Sequence, residues 1–193
     1  MNAAIRIVAG SLRGRRIICT VNPELRPTPQ MVREALFSIL GNAIPDRLFV
    51  DIFAGTGVVG LEALSRGASA THFVERDVRL ANSIEQNARK FDLARQVRVY
   101  RTDSYRWIAA WQPPPEPVNV FLSPPFADLH EHPDVLLQAL ARLQAGVADD
   151  SVIVLQSEKG AALEESSEML AWEQRTYGRN VLMIWQKEES PPP

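Results

Sequence analysis

Three glycines, Gly55, Gly57 and Gly60, match the pattern G-x-G-x-x-G between the apolar run LFVDIF at residues 48–53 and the helical stretch GLEALSRG. Glycines permit a tight turn and let a ligand approach the backbone closely. Glu75 follows 20 residues after Gly55, at the end of the next apolar run, where its carboxylate could accept hydrogen bonds from both hydroxyls of a ribose. This spacing predicts a nucleoside-containing cofactor. Either a dinucleotide, with its pyrophosphate on the helix N-terminus, or S-adenosylmethionine fits the pattern.

Acidic side chains around this loop favour the second cofactor. Asp51 precedes the glycines, where it could hold the loop or approach a positively charged amino-acid group. Asp103 and Ser104 follow the third apolar run, where a side-chain acceptor can meet the exocyclic amine of adenine. A site with carboxylates and without lysines or arginines that pair with phosphate suits a zwitterionic sulfonium ligand better than a pyrophosphate.

A rigid tetrad, Ser123-Pro124-Pro125-Phe126, ends the apolar run VNVFL at residues 118–122. Neither proline has an N–H group to donate, so a sheet ladder cannot continue through them. The tetrad is therefore either a stiff turn or a platform for chemistry.

The elements that must position these residues alternate between strand and helix. Apolar runs predict strands at residues 48–53, 70–77, 96–100, 118–122 and 151–158, and residues 172–178 and 180–187 read as a terminal hairpin. This alternation predicts an α/β fold with a mainly parallel sheet and helices on both faces. Ligands of such sheets bind outside the carboxyl ends of the strands, so the glycine loop, Glu75, Asp103 and the tetrad should meet there. Upstream, Thr28 is expected to cap a helix that has Pro29 at its first position.

A basic arm precedes this fold. Residues 5–21 alternate around Gly10 and Gly14 like a small β-hairpin, and residues 1–26 hold five arginines and one glutamate, a net charge of +4. Such an arm could contact phosphates, or it could be an ordinary solvated hairpin.

Composition limits the remaining possibilities. The 193 residues fit one domain, and the net charge of −2 argues neither for nor against nucleic acid. Cys19 is the only cysteine, which excludes an internal disulfide and a cysteine-built metal site.

Asp128, His130 and His132 lie close together in the sequence, but we read them as polar residues of a loop and predict no metal. Trp107 and Trp111, at helical spacing, are read as packing residues. No apolar run approaches the ~20 residues of a membrane span, and no signal peptide is recognised, so we predict a cytoplasmic protein.

Several longer stretches resemble one known family. RIVAGSLRGRRI, LRPTPQMVREALFSIL, DIFAGTGVVGLEALSRGA, FVERD, SPPF and YGRNVLMIWQK look like the bacterial 16S ribosomal RNA guanine-N2 methyltransferase family of RsmD type. The resemblance spans residues 6–187, and the arm and the RPT helix entry are its most specific parts. It implies a Rossmann-like seven-stranded methyltransferase sheet, S-adenosyl-L-methionine as methyl donor and a guanine of 16S rRNA, free or in the 30S subunit, as acceptor.

The resemblance also assigns residues and segments. It implies an RNA-facing β-hairpin arm at residues 1–26 and a methyltransferase domain at 27–187. The polar, proline-rich composition of residues 188–193 predicts a disordered tail, and we expect a monomer. The predicted site residues are Ser123, Pro124, Pro125 and Phe126 for catalysis; Asp51, Ala54, Gly55, Thr56, Gly57, Glu75, Arg76, Asp103 and Ser104 for the cofactor; and Arg6, Arg13, Arg15, Arg16 and Arg26 for RNA.

Ser123 departs from the family, which typically carries Asp or Asn at this position. Three readings stay open. Either the enzyme works with Ser123 and the Pro124 carbonyl, or another acid such as Asp128 substitutes, or the protein has kept the fold and lost the activity. Other amine methyltransferases of RNA or DNA use the same tetrad, so they remain alternatives, as does a catalytically silent RNA-binding or assembly factor. A dinucleotide oxidoreductase is disfavoured, because no convincing acid or base for hydride transfer is present.

Overall fold

The computed structural model describes residues 2–20 and 27–188, and the predicted RNA residue Arg26 lies outside them, as does nearly all of the predicted tail. These residues form nine strands and six α-helices. In chain order they are β1 (Asn2–Arg6), β2 (Arg16–Thr20), α1 (Gln30–Leu40), β3 (Leu48–Ile52), α2 (Val58–Ser65), β4 (Ala70–Val74), α3 (Val78–Lys90), β5 (Val97–Tyr100), α4 (Ser104–Ala110), β6 (Val118–Leu122), α5 (Phe126–His130), α6 (Pro133–Gly146), β7 (Val152–Glu158), β8 (Glu173–Tyr177) and β9 (Asn180–Gln186).

Seven strands form one sheet in the order β5-β4-β3-β6-β7-β9-β8. Strands β3 to β7 run parallel to one another, and β9 pairs antiparallel with both β7 and β8. The predicted parallel sheet with a terminal hairpin is confirmed. Ile52 lies opposite both Val74 and Leu122, so β3, β4 and β6 end at one edge of the sheet. This edge receives the loops that carry the candidate site.

Alternate residues of the central strands bury into two separate cores. Phe49 and Phe73 point to the face covered by α1, α2 and α3, whereas Val50 and Val74 point to the face covered by α4, α5 and α6. Both faces are therefore covered, which explains why these strands read as continuous apolar runs. Trp107 is buried in the second core and stacks on Trp111, with 4.9 Å between ring centroids, as the packing interpretation expected.

The N-terminal arm is the predicted hairpin, in which β1 and β2 pair antiparallel with Ile5 opposite Ile17. Its second strand lies on α3: the amide of Ile18 donates to Oδ1 of Asn87 at 3.0 Å, and Nδ2 of Asn87 donates to the Ile18 carbonyl at 2.8 Å. Its turn lies on the end of α2, where the Ser65 carbonyl accepts from the amide of Ser11 at 2.7 Å. Gly10, with φ of 80°, makes this approach possible, because a Cβ there would lie 1.8 Å from the Ser65 carbonyl oxygen.

One buried guanidinium joins the arm to two helices. Arg33 of α1 donates from Nε to Oε2 of Glu62 at 3.1 Å, from Nη1 to the Thr28 carbonyl at 2.7 Å and from Nη2 to the Arg6 carbonyl at 2.9 Å. Glu62 of α2 also accepts from Arg66 at 2.7 Å. The charge of the buried Glu62 is therefore compensated by two arginines, as a buried carboxylate requires.

Two local expectations were wrong. Thr28 does not cap α1: Pro29 occupies the N-cap position without a side-chain bond, and the Thr28 hydroxyl donates to Gln156 on β7 instead. Asp128 and His130, read as loop residues, lie in the short helix α5. No helix in the described residues is long and apolar enough to cross a membrane.

Candidate functional site

A cleft of about 650 Å³ opens at the carboxyl edge of β3, β4 and β6. The predicted site residues that line it are Asp51, Ala54, Gly55, Thr56, Glu75, Arg76, Asp103, Ser104, Ser123, Pro124, Pro125 and Phe126. Gly57 lies behind the lining, at the N-cap of α2 with φ of 71°, where a Cβ would approach Ile84 to 2.7 Å. The glycine loop, the strand-end acids and the tetrad thus share one cavity, whose size is typical of a small-molecule site.

Asp51 holds the glycine loop against β3. Its side chain is only 1% exposed, and Oδ2 accepts a hydrogen bond from the amide of Gly60 at 2.9 Å. This amide belongs to the first turn of α2, where backbone N–H groups lack partners within the helix. Burial raises the pKa of the Asp51 carboxyl to about 8, the Gly60 bond opposes this shift, and the nearby charge of Glu75 adds to it. Of the two roles expected for Asp51, the structure displays the loop-holding one.

Glu75 closes the same loop from the neighbouring strand. Its Oε2 accepts from the amide of Gly55 and its Oε1 from the amide of Asp77, both at 2.7 Å. Burial raises the pKa of the Glu75 carboxyl, although these two bonds oppose the shift. Each carboxylate oxygen has a second lone pair, so Glu75 can hold the loop and still accept bonds from a ligand in the cleft.

After β5, the first residues of helix α4 line the cleft. Asp103 caps α4, because its Oδ1 accepts from the amide of Arg106 at 3.0 Å, and Ser104 is the buried first residue of that helix. Arg76 is exposed at the rim. Side-chain and backbone groups at this end are thus fixed before any ligand arrives.

The tetrad forms the opposite wall. Ser123 continues β6, with its amide bonded to the Ile52 carbonyl at 3.3 Å, and Pro124 is buried. Phe126 begins α5 and remains 42% exposed at the cleft.

Sequence reasoning missed a polar cluster behind Ser123. Gln156 on β7 accepts at Oε1 from the hydroxyl of Thr28 at 2.8 Å and from that of Ser123 at 3.5 Å, and its Nε2 donates to Oδ1 of Asn180 at 2.9 Å. Gln156 and Asn180 both line the cleft. The one signal for this cluster was a glutamine that interrupts the apolar run SVIVL in the predicted fifth strand.

Asp128, the acid considered as a substitute for the missing Asp or Asn, is bonded to a tyrosine. The hydroxyl of Tyr105 donates to its Oδ2 at 2.5 Å. Burial, this bond and the charge of Asp128 raise the pKa of the tyrosine hydroxyl. His130 contacts Oε1 of Glu158 at 2.7 Å. In residues 2–20 and 27–188, no group of three or more His, Cys, Asp or Glu side chains is arranged to hold a metal ion.

The predicted RNA residues of the arm are exposed. Arg6, Arg13, Arg15 and Arg16 all lie at the surface, and the guanidinium of Arg15 lies 5.8 Å from the ring centre of Phe91. They lie on a hairpin that is itself fixed to α2 and α3, so their positions relative to the sheet are set by packing.

Comparison with known proteins agrees with this geometry. Ribosomal RNA small subunit methyltransferase D of Escherichia coli (strain K12) is 36% identical over 155 residues, which cover 80% of this chain and 75% of that protein. The protein of the same name from Haemophilus influenzae is 32% identical over 177 residues, covering 90% of this chain and 89% of that protein.

The fold recurs in a solved structure, that of the Thermus thermophilus 16S rRNA N2 methyltransferase RsmC in complex with AdoMet and guanosine. Its TM-score is 0.71 at 20% identity, and the match covers 97% of this chain and 50% of that chain. The family model described as conserved hypothetical protein 95 matches residues 5–186. The chain therefore belongs to the conserved hypothetical protein 95 family and is a relative of the ribosomal RNA small subunit methyltransferases D.

Proposed function

We propose that the protein transfers a methyl group from S-adenosylmethionine to the exocyclic N2 amine of a guanine in 16S ribosomal RNA. One observation carries this proposal: the Ser-Pro-Pro-Phe tetrad faces, across a single cleft, a glycine loop that is fixed by two buried acids. The names of the relatives support the class of substrate. The guanine and its N2 atom rest on the tetrad and on the family resemblance.

The charges of the cleft fit this cofactor. It is lined by two arginines, Arg76 and Arg179, and by five acids, Glu75, Asp77, Asp103, Asp128 and Glu158, besides Asp51, whose raised pKa keeps it protonated near neutral pH. An excess of carboxylates suits a ligand that carries a sulfonium and an ammonium group, and it disfavours a pyrophosphate. In this arrangement Glu75 would bind the ribose hydroxyls, and the start of α4 at Asp103 and Ser104 would contact the adenine.

The tetrad would hold the acceptor amine. The hydroxyl oxygen of Ser123 and the carbonyl oxygen of Pro124 can each accept a hydrogen bond from the amine, which directs its lone pair across the cleft. The two prolines keep that carbonyl in place. Phe126, which is 42% exposed at the cleft, would stack on a base that has left its helix.

When bound, S-adenosylmethionine would supply an electrophilic methyl group. The amine nitrogen would bond to the methyl carbon as the bond from carbon to sulfur breaks with its electron pair left on sulfur, and the nitrogen would then release a proton to water. The two acceptor oxygens of the tetrad stabilise the positive charge that develops on the nitrogen. The remaining acids of the cleft contribute to the same field.

The arm would bring the RNA to this site. Arg6, Arg13, Arg15 and Arg16 are exposed, and Arg26 adjoins them in sequence, so the arm could follow the phosphate backbone. We further propose that a monomer acts in the cytoplasm, on free 16S rRNA or on the 30S subunit.

The experiment is a transfer assay with radiolabelled methyl groups on naked 16S rRNA and on 30S subunits, followed by nucleoside analysis. We expect N2-methylguanosine with at least one substrate, and saturable binding of S-adenosylhomocysteine but not of NAD. Binding of NAD instead, or label on an adenine or cytosine amine, would contradict the proposal.

One alternative function is a catalytically silent RNA-binding or assembly factor. It is favoured by Ser123, which replaces the Asp or Asn that the family typically carries. The same assay separates the two: tight binding of S-adenosylhomocysteine without any methyl incorporation would support the silent factor.

A further inference from the structure

Gln156 lies directly beside the first residue of the tetrad. Leu155 pairs with Leu122, so the next residue of β7, Gln156, is the neighbour of Ser123 at the carboxyl edge of the sheet. In the structure the side-chain amide of Gln156 is oriented with its oxygen towards the hydroxyls of Thr28 and Ser123 and its nitrogen towards Oδ1 of Asn180.

This orientation determines what the Ser123 hydroxyl can do. An amide oxygen only accepts hydrogen bonds, so in this contact the Ser123 hydroxyl is the donor and directs its single proton to Gln156. Its lone pairs are then left for other donors. A serine hydroxyl without such a partner rotates, and when it presents its own proton to an amine it cannot accept from that amine. Gln156 thus favours the rotamer in which Ser123 is an acceptor.

The amide is in turn held from two sides. Thr28 is buried two residues before α1, and its 2.8 Å bond to Gln156 is the shortest of the three. Asn180 begins β9 and lies across the sheet from Glu158. The 3.5 Å contact between Ser123 and Gln156 is the longest, and hydrogen bonds of catalytic groups commonly shorten when the reacting complex forms.

We propose that Gln156 is a positioning residue for methyl transfer, which turns the Ser123 hydroxyl into a hydrogen-bond acceptor for the amine. This inference rests on the proposed function. It explains how a serine works at a position where the family typically carries Asp or Asn. The side-chain carbonyl or carboxylate oxygens of those residues accept hydrogen bonds and have no hydroxyl proton that must be oriented. The Thr28–Gln156–Asn180 cluster supplies the orientation that the shorter side chain lacks.

The test compares Gln156→Met and Gln156→Glu in the full chain by single-turnover and steady-state methylation of 16S rRNA. Methionine keeps the length and removes the amide, so kcat should fall by about tenfold, with KM for RNA and the affinity for S-adenosylhomocysteine unchanged. Glutamate keeps the acceptor oxygens and should recover most of the lost kcat. Gln174→Met, the same change on the exposed strand β8, is the matched control and should leave kcat unchanged.

A Ser123→Asn background separates positioning from structure. The side-chain oxygen of asparagine accepts hydrogen bonds and carries no proton that Gln156 would have to orient. Adding Gln156→Met to Ser123→Asn should therefore change kcat by less than about twofold. An equal loss of kcat in both backgrounds, or a Gln156→Met enzyme as fast as wild type, overturns the inference while the proposed function stands.

Thr28→Val provides a second route if Gln156→Met does not fold. It removes one anchor of the amide at nearly constant volume, and we expect a smaller loss of kcat that again disappears with Ser123→Asn. A loss that persists there overturns the inference. A wild-type protein that methylates neither rRNA nor 30S subunits overturns the proposed function, and the inference falls with it.

Discussion

Asp51 illustrates how one side chain can serve the loop and respond to pH. It is buried beneath the glycine loop and hydrogen-bonded to the Gly60 amide, and the charge of Glu75 raises its pKa further. Burial outweighs the single hydrogen bond, and the pKa of the carboxyl rises from its ordinary 3.8 to about 8. Near neutral pH the folded protein therefore keeps a proton at Asp51 that the unfolded chain releases.

This difference predicts a pH-dependent stability. Between these two pKa values the folded state binds more protons than the unfolded state, so the free energy of unfolding should fall as pH rises, by about 1 kcal/mol per pH unit. Asp51→Asn has no proton to lose, and its slope should be markedly shallower between about pH 5 and about pH 8. Urea unfolding across that range measures both slopes. Asp92→Asn, the same change at an exposed acid, should keep the wild-type slope, and equal slopes for all three proteins would contradict the prediction.

At the scale of elements, the fit of helix α2 against the sheet depends on a missing side chain. Gly60 lies in the first turn of α2, and a Cβ there would lie 2.3 Å from a ring carbon of Phe73 and 2.7 Å from Thr71. The third glycine of the motif therefore permits close packing of helix on strand, whereas Gly55 and Gly57 shape the loop.

Gly60→Ala should consequently destabilise the protein by about 1–3 kcal/mol, because α2 must move away from β4. The affinity for S-adenosylhomocysteine should fall as well, since the loop moves with the helix. Gly146→Ala serves as control: its Cβ would meet Pro113 at an ordinary 3.4 Å. Chemical denaturation and ligand titration of both variants check the prediction. A Gly60→Ala protein no less stable than Gly146→Ala would refute the packing argument.

The elements themselves were largely predictable from sequence. Strand, loop and helix alternate with clear apolar runs, and the confirmed sheet follows from them. Boundaries differed where capping intervened: the strand expected at 70–77 stops at Val74, because Asp77 accepts from the amides of Arg79 and Leu80 and starts α3. The hydrogen bond of Thr28 to Gln156 could not be predicted from the sequence, because the two residues lie 128 positions apart along the chain. A helix of five residues such as α5 is too short to show a periodicity.

At the scale of the whole molecule, the arm and the sheet carry different parts of the proposed function. Arg6, Arg13, Arg15 and Arg16 of the arm are surface charges, whereas the proposed cofactor residues other than Gly57 line the cleft. Changing Arg13, Arg15 and Arg16 together to Gln should weaken RNA binding and lower the salt dependence of log K by about 2, with the affinity for S-adenosylhomocysteine unchanged. Filter binding at several salt concentrations measures this.

A control must remove the same charge elsewhere. Arg98, Arg106 and Arg175 are exposed on β5, α4 and β8, and changing these three to Gln alters the net charge equally. If the two triple variants lose the same RNA affinity, net charge accounts for binding and the arm has no special role.

The seating of the arm on α2 has a practical consequence for any study of its function. The arm turn supplies the amide of Ser11 to the last carbonyl of α2 and that of Leu12 to the Ser65 hydroxyl, and its first strand supplies the Arg6 carbonyl to the buried Arg33. A truncated protein that starts after the arm would expose the C-terminal end of the helix whose other end forms the glycine loop. Loss of methylation on truncation would then report damage to the catalytic body, and only substitutions of exposed arm side chains can measure what the arm does for RNA.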